Sequence, residues 1–352
     1  MPKKQIAKQK HPVRKKIFAV LTYIVPLLFM YWFFFILLPS EINVDELKST
    51  LSNLGKTDFL VLLIAGIASI LAVGWTAATV LPGIKIRKAT QASVVSQLTS
   101  VILPPPADMA IRFGMYKTYG FPVDQSAVAV IMSGIARYFT VVAIPLLGII
   151  AMIIAGQGST SAVVWLIIGI AVFAFALWLM RQILISKKTA HKAGRIIQNI
   201  VNWFRKLLRK KPATDIEAGA VDFGQNSKDV ALNHFWPIAI SNIVWGISCY
   251  VILLLATRFC GIDSSVMSSA YLLFITGIML LLNSMPIPGS GAGVTETILL
   301  TNMNFPTPQV QTAFTAALIL YRAYTWLLPF PIGGVAYFTW RYQIRNRYKQ
   351  AA

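Results

Sequence analysis

Charge is scarce in this sequence, and acidic charge scarcest. Only 12% of the 352 residues are Lys, Arg, Asp or Glu, and Asp plus Glu number 12. Soluble domains carry about 25% charged residues, so an ordinary water-facing surface is excluded. Cysteine and histidine are nearly absent, at two and three residues. Cys249 and Cys260 fit neither a disulfide framework nor metal-ligand spacing. His11 and His191 lie in basic segments and His234 opens an apolar run, so no cluster of His, Cys and carboxylate is expected. No phosphate loop is present either: the glycines of 289–293 lack a following Lys-Ser/Thr, and no strand precedes them. Neither catalysis nor ATP-driven work is expected of this chain, and no metal or cofactor.

What the sequence holds in excess is apolar surface, at 56% of residues. Residues 17–39, 59–82, 126–155, 161–180, 235–257 and 309–340 contain no acidic residue, and the only basic ones among them are Arg137 and Arg322. A hydrocarbon core of about 30 Å needs roughly 20 apolar helical residues. The runs lack the strict alternation of barrel strands, and no water is available at that depth for exposed amides, so each is expected to be a helix. The first run is too long for a signal peptide and ends in Leu38-Pro39-Ser40 without a small-residue cleavage pattern, so a retained span is expected.

The net charge of +20 is placed for a membrane rather than for nucleic acid. Seven Lys/Arg fall in 1–16, three in 85–88, ten in 181–211 and four in 341–349, on alternate sides of the expected spans. Retention of positive loops on the inner side then puts both termini in the cytoplasm, with six crossings of the cell membrane. These charges are expected to meet anionic headgroups. In 192–210, Ile196, Ile197, Ile200, Trp203, Phe204, Leu207 and Leu208 recur at helical spacing, with basic residues opposite. That pattern fits an amphipathic helix in the headgroup region, and equally a basic topology-setting loop. The acidic stretch 212–230 reads as a mobile linker. The chain thus divides into basic tails at 1–16 and 342–352 around one membrane domain at 17–341, with the cytoplasmic helix and linker at 187–230.

Two stretches fit neither span nor loop. Residues 91–120 run from a short apolar piece through Pro104, Pro105 and Pro106 into an amphipathic piece; residues 266–304 repeat that order around Pro286, Pro288, Gly289, Gly291 and Gly293. Proline and glycine interrupt the amide ladder, which at membrane depth is tolerated only beside protein or a wet cavity. Two re-entrant hairpins are expected. A shift of 184 residues superposes Ser100 on Ser284, Pro104 on Pro288, Phe121-Pro122 on Phe305-Pro306, and Pro145 on Pro329. A shift of 185 pairs Arg137 with Arg322 and Gly148 with Gly333. Repeat one is read as 58–155 and repeat two as 232–341. The extra span 161–180 between them inverts the second, as in transporters whose broken helices meet at the midplane. The expected fold is an all-α, polytopic membrane protein of about six transmembrane helices plus two re-entrant hairpins.

Charge inside such a domain is costly, about 2.5–3.5 kcal/mol at a helix centre. The candidates are Asp108, Arg112, Arg137, Glu296 and Arg322. Asp108 and Arg112 stand four apart, on one helical face, where they can pair. Arginine suits a phosphate, because its planar fork donates two parallel hydrogen bonds. The five are expected to line a central cavity that receives a charged lipid headgroup; buried ion pairs that close the cavity are the structural alternative.

At these residues the chain resembles the lysylphosphatidylglycerol synthase transmembrane-region family, the flippase-like domain of multiple peptide resistance factors and its stand-alone relatives. Pro286 to Glu296 (PIPGSGAGVTE) is similar to the family's proline-glycine stretch ending in a carboxylate. Pro106-Ala107-Asp108-x-x-x-Arg112 is similar to its Gly-Asp-x-x-x-Arg, with Ala107 in the glycine position. Arg137 and Arg322 match embedded arginines of the family, and the likeness runs from about 58 to 341. It implies movement of a phospholipid, often aminoacylated phosphatidylglycerol, between leaflets of a bacterial cytoplasmic membrane. The aminoacyl-transferase domain of bifunctional members has no room before Ala352, so synthesis of the modified lipid is not expected. The alternative is a non-catalytic accessory protein that scaffolds a lipid- or sugar-modifying enzyme through 192–210.

Overall fold

The structure is a computed structural model that describes residues 44–102, 107–207, 212, 214–285 and 293–351. The apolar run 17–39 and the tips of both expected hairpins, except Gly293, lie outside the described residues. Every regular element among those described is a helix. After a short α1 (Val44–Ser52) come four helices long and apolar enough to cross a membrane: α2 (Lys56–Val80), α5 (Val123–Ile154), α6 (Thr160–Ile185) and α9 (Phe235–Phe259). The chain is an all-α, multi-pass membrane protein. In α6 no residue of the apolar stretch is buried. Trp165, Ile167, Val172 and Phe175 all stand exposed on it, a helix apolar all round as one surrounded by lipid should be.

The stretch 309–340 is not one uniform crossing. It is α12 (Pro308–Arg322), a π-helical turn (Ala323–Leu327) and α13 (Pro329–Ala351). Pro329 has no N–H for the carbonyl four residues back and its ring crowds that carbonyl. The ladder slips there, and the Leu328 amide donates to the Ala323 carbonyl at 2.8 Å, five residues back. Each interrupted stretch of the sequence supplies two helices. The first gives α3 (Ile86–Ile102) and α4 (Ala107–Thr118); the second gives α10 (Ser269–Asn283) and α11 (Val294–Asn302).

Contacts between these helices come in symmetric pairs. Helix α10 packs on α5, and α3 packs on α13, so the first helix of each interrupted stretch lies against the long helix that follows the other. A Cβ on Gly148 of α5 would stand 2.4 Å from the Phe274 Cα of α10, and one on Gly333 of α13 would stand 2.7 Å from the Val94 carbonyl of α3. The starting helices α2 and α9 pack on each other. Gly66 of α2 faces Tyr324 and Leu328, while Gly246 of α9 faces Thr140 and Ile144, which are the same two positions under the 184-residue shift. Thr79 meets Ser241, and Ser69 meets Cys249; as one number rises the other falls, so α2 and α9 run antiparallel. Small residues let backbones approach closely, which is how helices associate where lipid removes the hydrophobic drive.

The stretch 212–230, expected as a mobile linker, is corrected from Ile216 onward, where it is helix. Residues Ile216–Asn233 form α8, packed on α7 (Lys187–Leu207) and on α6. Glycines decide this: Gly194 of α7 lies against Ala220 and the Glu217 backbone, and Gly224 of α8 against the Ile183 carbonyl. The Glu217 carboxylate accepts from Arg195 Nε at 3.0 Å and meets His191 Nδ1 at 2.9 Å. Ile196, Ile197, Ile200 and Trp203 of α7 remain exposed. The expected apolar face is therefore present on a helix, and its acidic neighbour pins the opposite side.

Candidate functional site

Where the two halves meet, a cavity of about 210 Å³ is walled by α2, α3, α5, α9, α10 and the α12–π–α13 unit. Gly66 and Ser69 of α2 leave space on one wall, and Trp245 and Cys249 of α9 face it. Ser100 and Ser284, superposed by the 184-residue shift, both line it. Each hydroxyl donates to a carbonyl three residues back, Gln97 and Leu281 respectively, at 2.7 Å. The π turn brings Tyr324, Thr325 and Trp326 into the wall directly after Arg322. π turns of this kind recur at functional sites because they re-aim side chains that a regular helix would stagger.

Both embedded arginines reach this cavity, in different electrostatic settings. Arg322 Nε donates to Glu296 Oε1, and Arg322 Nη2 donates to Asn283 Oδ1 at 2.9 Å. Glu296 Oε2 accepts the Gly293 amide at 2.7 Å, and Asn283 Oδ1 also accepts the Thr295 hydroxyl at 2.8 Å. Glu296 is thus held at the first turn of α11, where the helix dipole favours a carboxylate. Gly293 adopts φ +85°, a backbone that side chains with a Cβ rarely take. The other tip residues, Pro104, Pro105, Pro106, Pro286, Pro288, Gly289 and Gly291, lie outside the described residues.

Arg137 makes no ion pair among the described residues; the Asp108 carboxylate attracts it only from further away. Its guanidinium lies over the Trp245 ring, 3.9 Å from the centroid, a cation–π contact that compensates part of the charge without neutralising it. Among the described residues the cavity wall therefore carries two arginines, of which only Arg322 is ion-paired, while Asp108 acts on Arg137 from further away.

The Asp108–Arg112 pair expected from their spacing is a correction. No ion pair joins them among the described residues. Arg112 Nη1 instead donates to Ser133 Oγ and Nη2 to Ser96 Oγ, both at 3.0 Å. The Asp108 backbone carbonyl accepts from Ser96 at 3.1 Å, so one serine ties both turns of α4 to α3. Neither Asp108 nor Arg112 lines the central cavity, which gathers Arg137 and Arg322 with Glu296 behind. Sequence reasoning missed Trp245, Asn283, Ser96 and Ser133. Asn283 at the end of an apolar run was a visible signal; the other three have none without the packing.

A family model described as lysylphosphatidylglycerol synthase TM region matches residues 17–333 and so takes in the first apolar run. No curated protein matches the chain.

Proposed function

The chain belongs to the lysylphosphatidylglycerol synthase TM region family, and from that premise we propose that it moves a phospholipid between the leaflets of the cell membrane. The observation that carries the reading is the cavity shared by Arg137 and Arg322 between two halves of antiparallel design. A guanidinium without an ion-pair partner in a low-dielectric chamber attracts an anion, and a headgroup phosphate supplies two oxygens for the arginine fork. Arg137 holds the phosphate first; Arg322 joins it by exchanging its bond to Glu296. Acyl chains remain in lipid, since about 210 Å³ admits a headgroup and no more. A cationic aminoacyl group would find Glu296, and Asp108 beyond it. Hairpins entering from opposite faces, with both termini cytoplasmic, would expose the chamber to either leaflet in turn. No catalytic role is proposed.

The test is leaflet exchange in liposomes of the purified full chain, with labelled phosphatidylglycerol, its aminoacylated form and a neutral lipid. Wild type should exchange the anionic or aminoacylated lipid faster than empty liposomes, and Arg137→Ala should lose the gain. Exchange equal to empty liposomes for every lipid would end the reading. The exposed apolar and basic face of α7 supports the second reading, an accessory role beside a lipid- or sugar-modifying enzyme. That role predicts no exchange together with a co-purifying transferase lost on Ile197→Glu/Trp203→Glu substitution.

A further inference from the structure

At the end of the spanning helix α6, helices α7 and α8 pack as an antiparallel pair: Gly194 lies against Ala220 and Glu217, while Gly224 lies against Ala190 and Ile183. Charge is divided between the two. Helix α7 carries Lys187, Lys188, Lys192, Arg195, Arg205 and Lys206 and no acidic residue. Helix α8 carries Glu217, Asp222 and Asp229 against Lys228 alone. Glu217 meets Arg195 at 3.0 Å and His191 at 2.9 Å. Lys188, Lys192 and Lys206 stand exposed and make no ion pair among the described residues.

The residues of α7 also sort by direction, since successive positions of an α-helix turn by about 100°. Counted from Gly194, Ala190 and Gln198 lie about 40° to either side. Helix α8 covers that side: Ala190 is buried beside Gly224, and Gln198 Oε1 accepts the Glu217 amide at 3.2 Å. Trp203, Ile196, Ile200 and Ile197 fall at about 180° to 300°, and all four are exposed. Lys188, Lys192, Arg195 and Lys206 fall at about 100° to 160°, directly beside them. An exposed apolar strip marks an interaction surface. One bordered by lysines has the form of an interfacial helix, with apolar side chains at the acyl boundary and ammonium groups among the phosphates.

The location selects the occupant. Helix α6 ends at Ile185 and α7 begins at Lys187, one residue later. Ser186 between them is extended (φ −110°, ψ 112°), which interrupts the helix, and its Oγ accepts the Thr189 amide at 3.3 Å, which caps the next one. The contact of Gly224 with the Ile183 carbonyl fastens α8 to the same end of α6. The surface next to the strip is therefore the bilayer edge itself. We propose that α7 is a binding site for anionic lipid, lying in the headgroup layer at the end of α6. Ile196, Ile197, Ile200 and Trp203 enter the acyl boundary, and Lys188, Lys192 and Lys206 meet anionic headgroups. The acidic α8 orients the pair, because an anionic surface draws α7 in and holds α8 away. The lipid bound here belongs to the surrounding bilayer, and the assignment does not depend on what the central cavity carries.

The test uses the full chain in nanodiscs of phosphatidylcholine alone, or of equal parts phosphatidylcholine and phosphatidylglycerol. In a Cys249→Ser/Cys260→Ser background, a polarity-sensitive dye is attached at Ile200→Cys or, on the basic side, at Asn199→Cys. With phosphatidylglycerol present, the dye at position 200 should emit to the blue and be quenched by spin-labelled lipid rather than by aqueous acrylamide. The dye at position 199 should do the reverse. Omitting phosphatidylglycerol should lower the lipid-to-water quenching ratio at position 200 about fivefold or more, the factor expected of even one lysine at an anionic surface. Lys188→Gln/Lys192→Gln/Lys206→Gln should erase that difference. Amide exchange of the unmodified chain is the dye-free check: phosphatidylglycerol should slow it along 196–203 and leave 217–224 unchanged. Equal acrylamide access at both positions, with amide exchange indifferent to lipid charge, overturns the proposal. Lipid quenching at position 200 that is equal in the two nanodiscs overturns its anionic part. Protection of 196–203 in native membranes but in neither nanodisc would assign the strip to a protein partner and overturn the proposal as well. None of these readouts measures leaflet exchange, so this assignment and the transport reading fail separately.

Discussion

Removing the Arg322 guanidinium would leave the Glu296 carboxylate, whose side chain is 7% exposed, with the Gly293 amide as its one remaining described partner. Breaking one side of a buried ion pair typically costs about 3–5 kcal/mol, because the survivor is an uncompensated charge. Arg322→Ala should therefore lower the thermal unfolding midpoint in detergent far more than the double change Glu296→Ala/Arg322→Ala lowers it per residue removed. Arg137→Ala breaks no ion pair among the described residues; it loses the contact with Trp245, worth about 0.5–2 kcal/mol, and a longer-range attraction to Asp108. It should keep most of the stability, so a loss of lipid exchange in that variant reports on the cavity rather than on folding. A large destabilisation by Arg137→Ala would mean that the attraction to Asp108 holds the fold as firmly as an ion pair does. All five embedded charges were legible in the sequence, because a charge in an apolar run is conspicuous. Their partners were not. Spacing suggested Asp108 for Arg112, whereas Ser96 and Ser133 from neighbouring helices present hydroxyls to both Nη atoms. Only tertiary packing could reveal that choice.

The helices touch through glycines, and there the structure makes sharp claims. A Cβ on Gly277 would stand 2.4 Å from the Pro145 nitrogen, and one on Gly148 2.4 Å from the Phe274 Cα. Both obstacles are backbone, so α10 and α5 would have to part. Gly277→Ala and Gly148→Ala should each destabilise by about 1–3 kcal/mol, the usual range for overpacking. Gly114, within α4, has nothing within 4 Å of its would-be Cβ. Gly114→Ala should leave stability unchanged or raise it by up to about 1 kcal/mol through helix propensity. Melting curves of the three variants decide the matter, and similar midpoints for all would show the α5–α10 seam to be looser than it stands. At this scale apolar runs announced α2, α5, α6 and α9, since length and hydropathy alone specify a spanning helix. Helix α8 was hidden, because Asp215, Glu217, Asp222 and Asp229 make its composition look like linker. What makes it a helix is a partner: Gly194 and Gly224 permit backbone contact that no local pattern encodes. The π turn was half visible. Pro329 marked a break, but whether a kink or a slipped ladder follows depends on what the turn packs against.

Two halves that share a pattern of contacts can work by moving against each other, or can hold a fixed groove through which headgroups slide. Antiparallel α2 and α9 are the seam on which these alternatives differ. Thr79 Oγ1 and Ser241 Oγ stand 3.2 Å apart, near the end of α2 and the start of α9, whereas Ser69 and Cys249 meet near the middle of both helices. Rocking of one half on the other changes the separation of such points at the helix ends more than that of points near the middle. In a Cys249→Ser/Cys260→Ser background, Thr79→Cys/Ser241→Cys should cross-link under mild oxidation, and the cross-linked protein should lose leaflet exchange that returns on reduction. The paired single substitutions, treated with the same oxidant, should keep their exchange and thereby separate locking from chemical damage. Unimpaired exchange in the cross-linked form would mean that the halves need not rock. Transport would then pass along a standing groove at the seam, with no stage at which one half moves against the other.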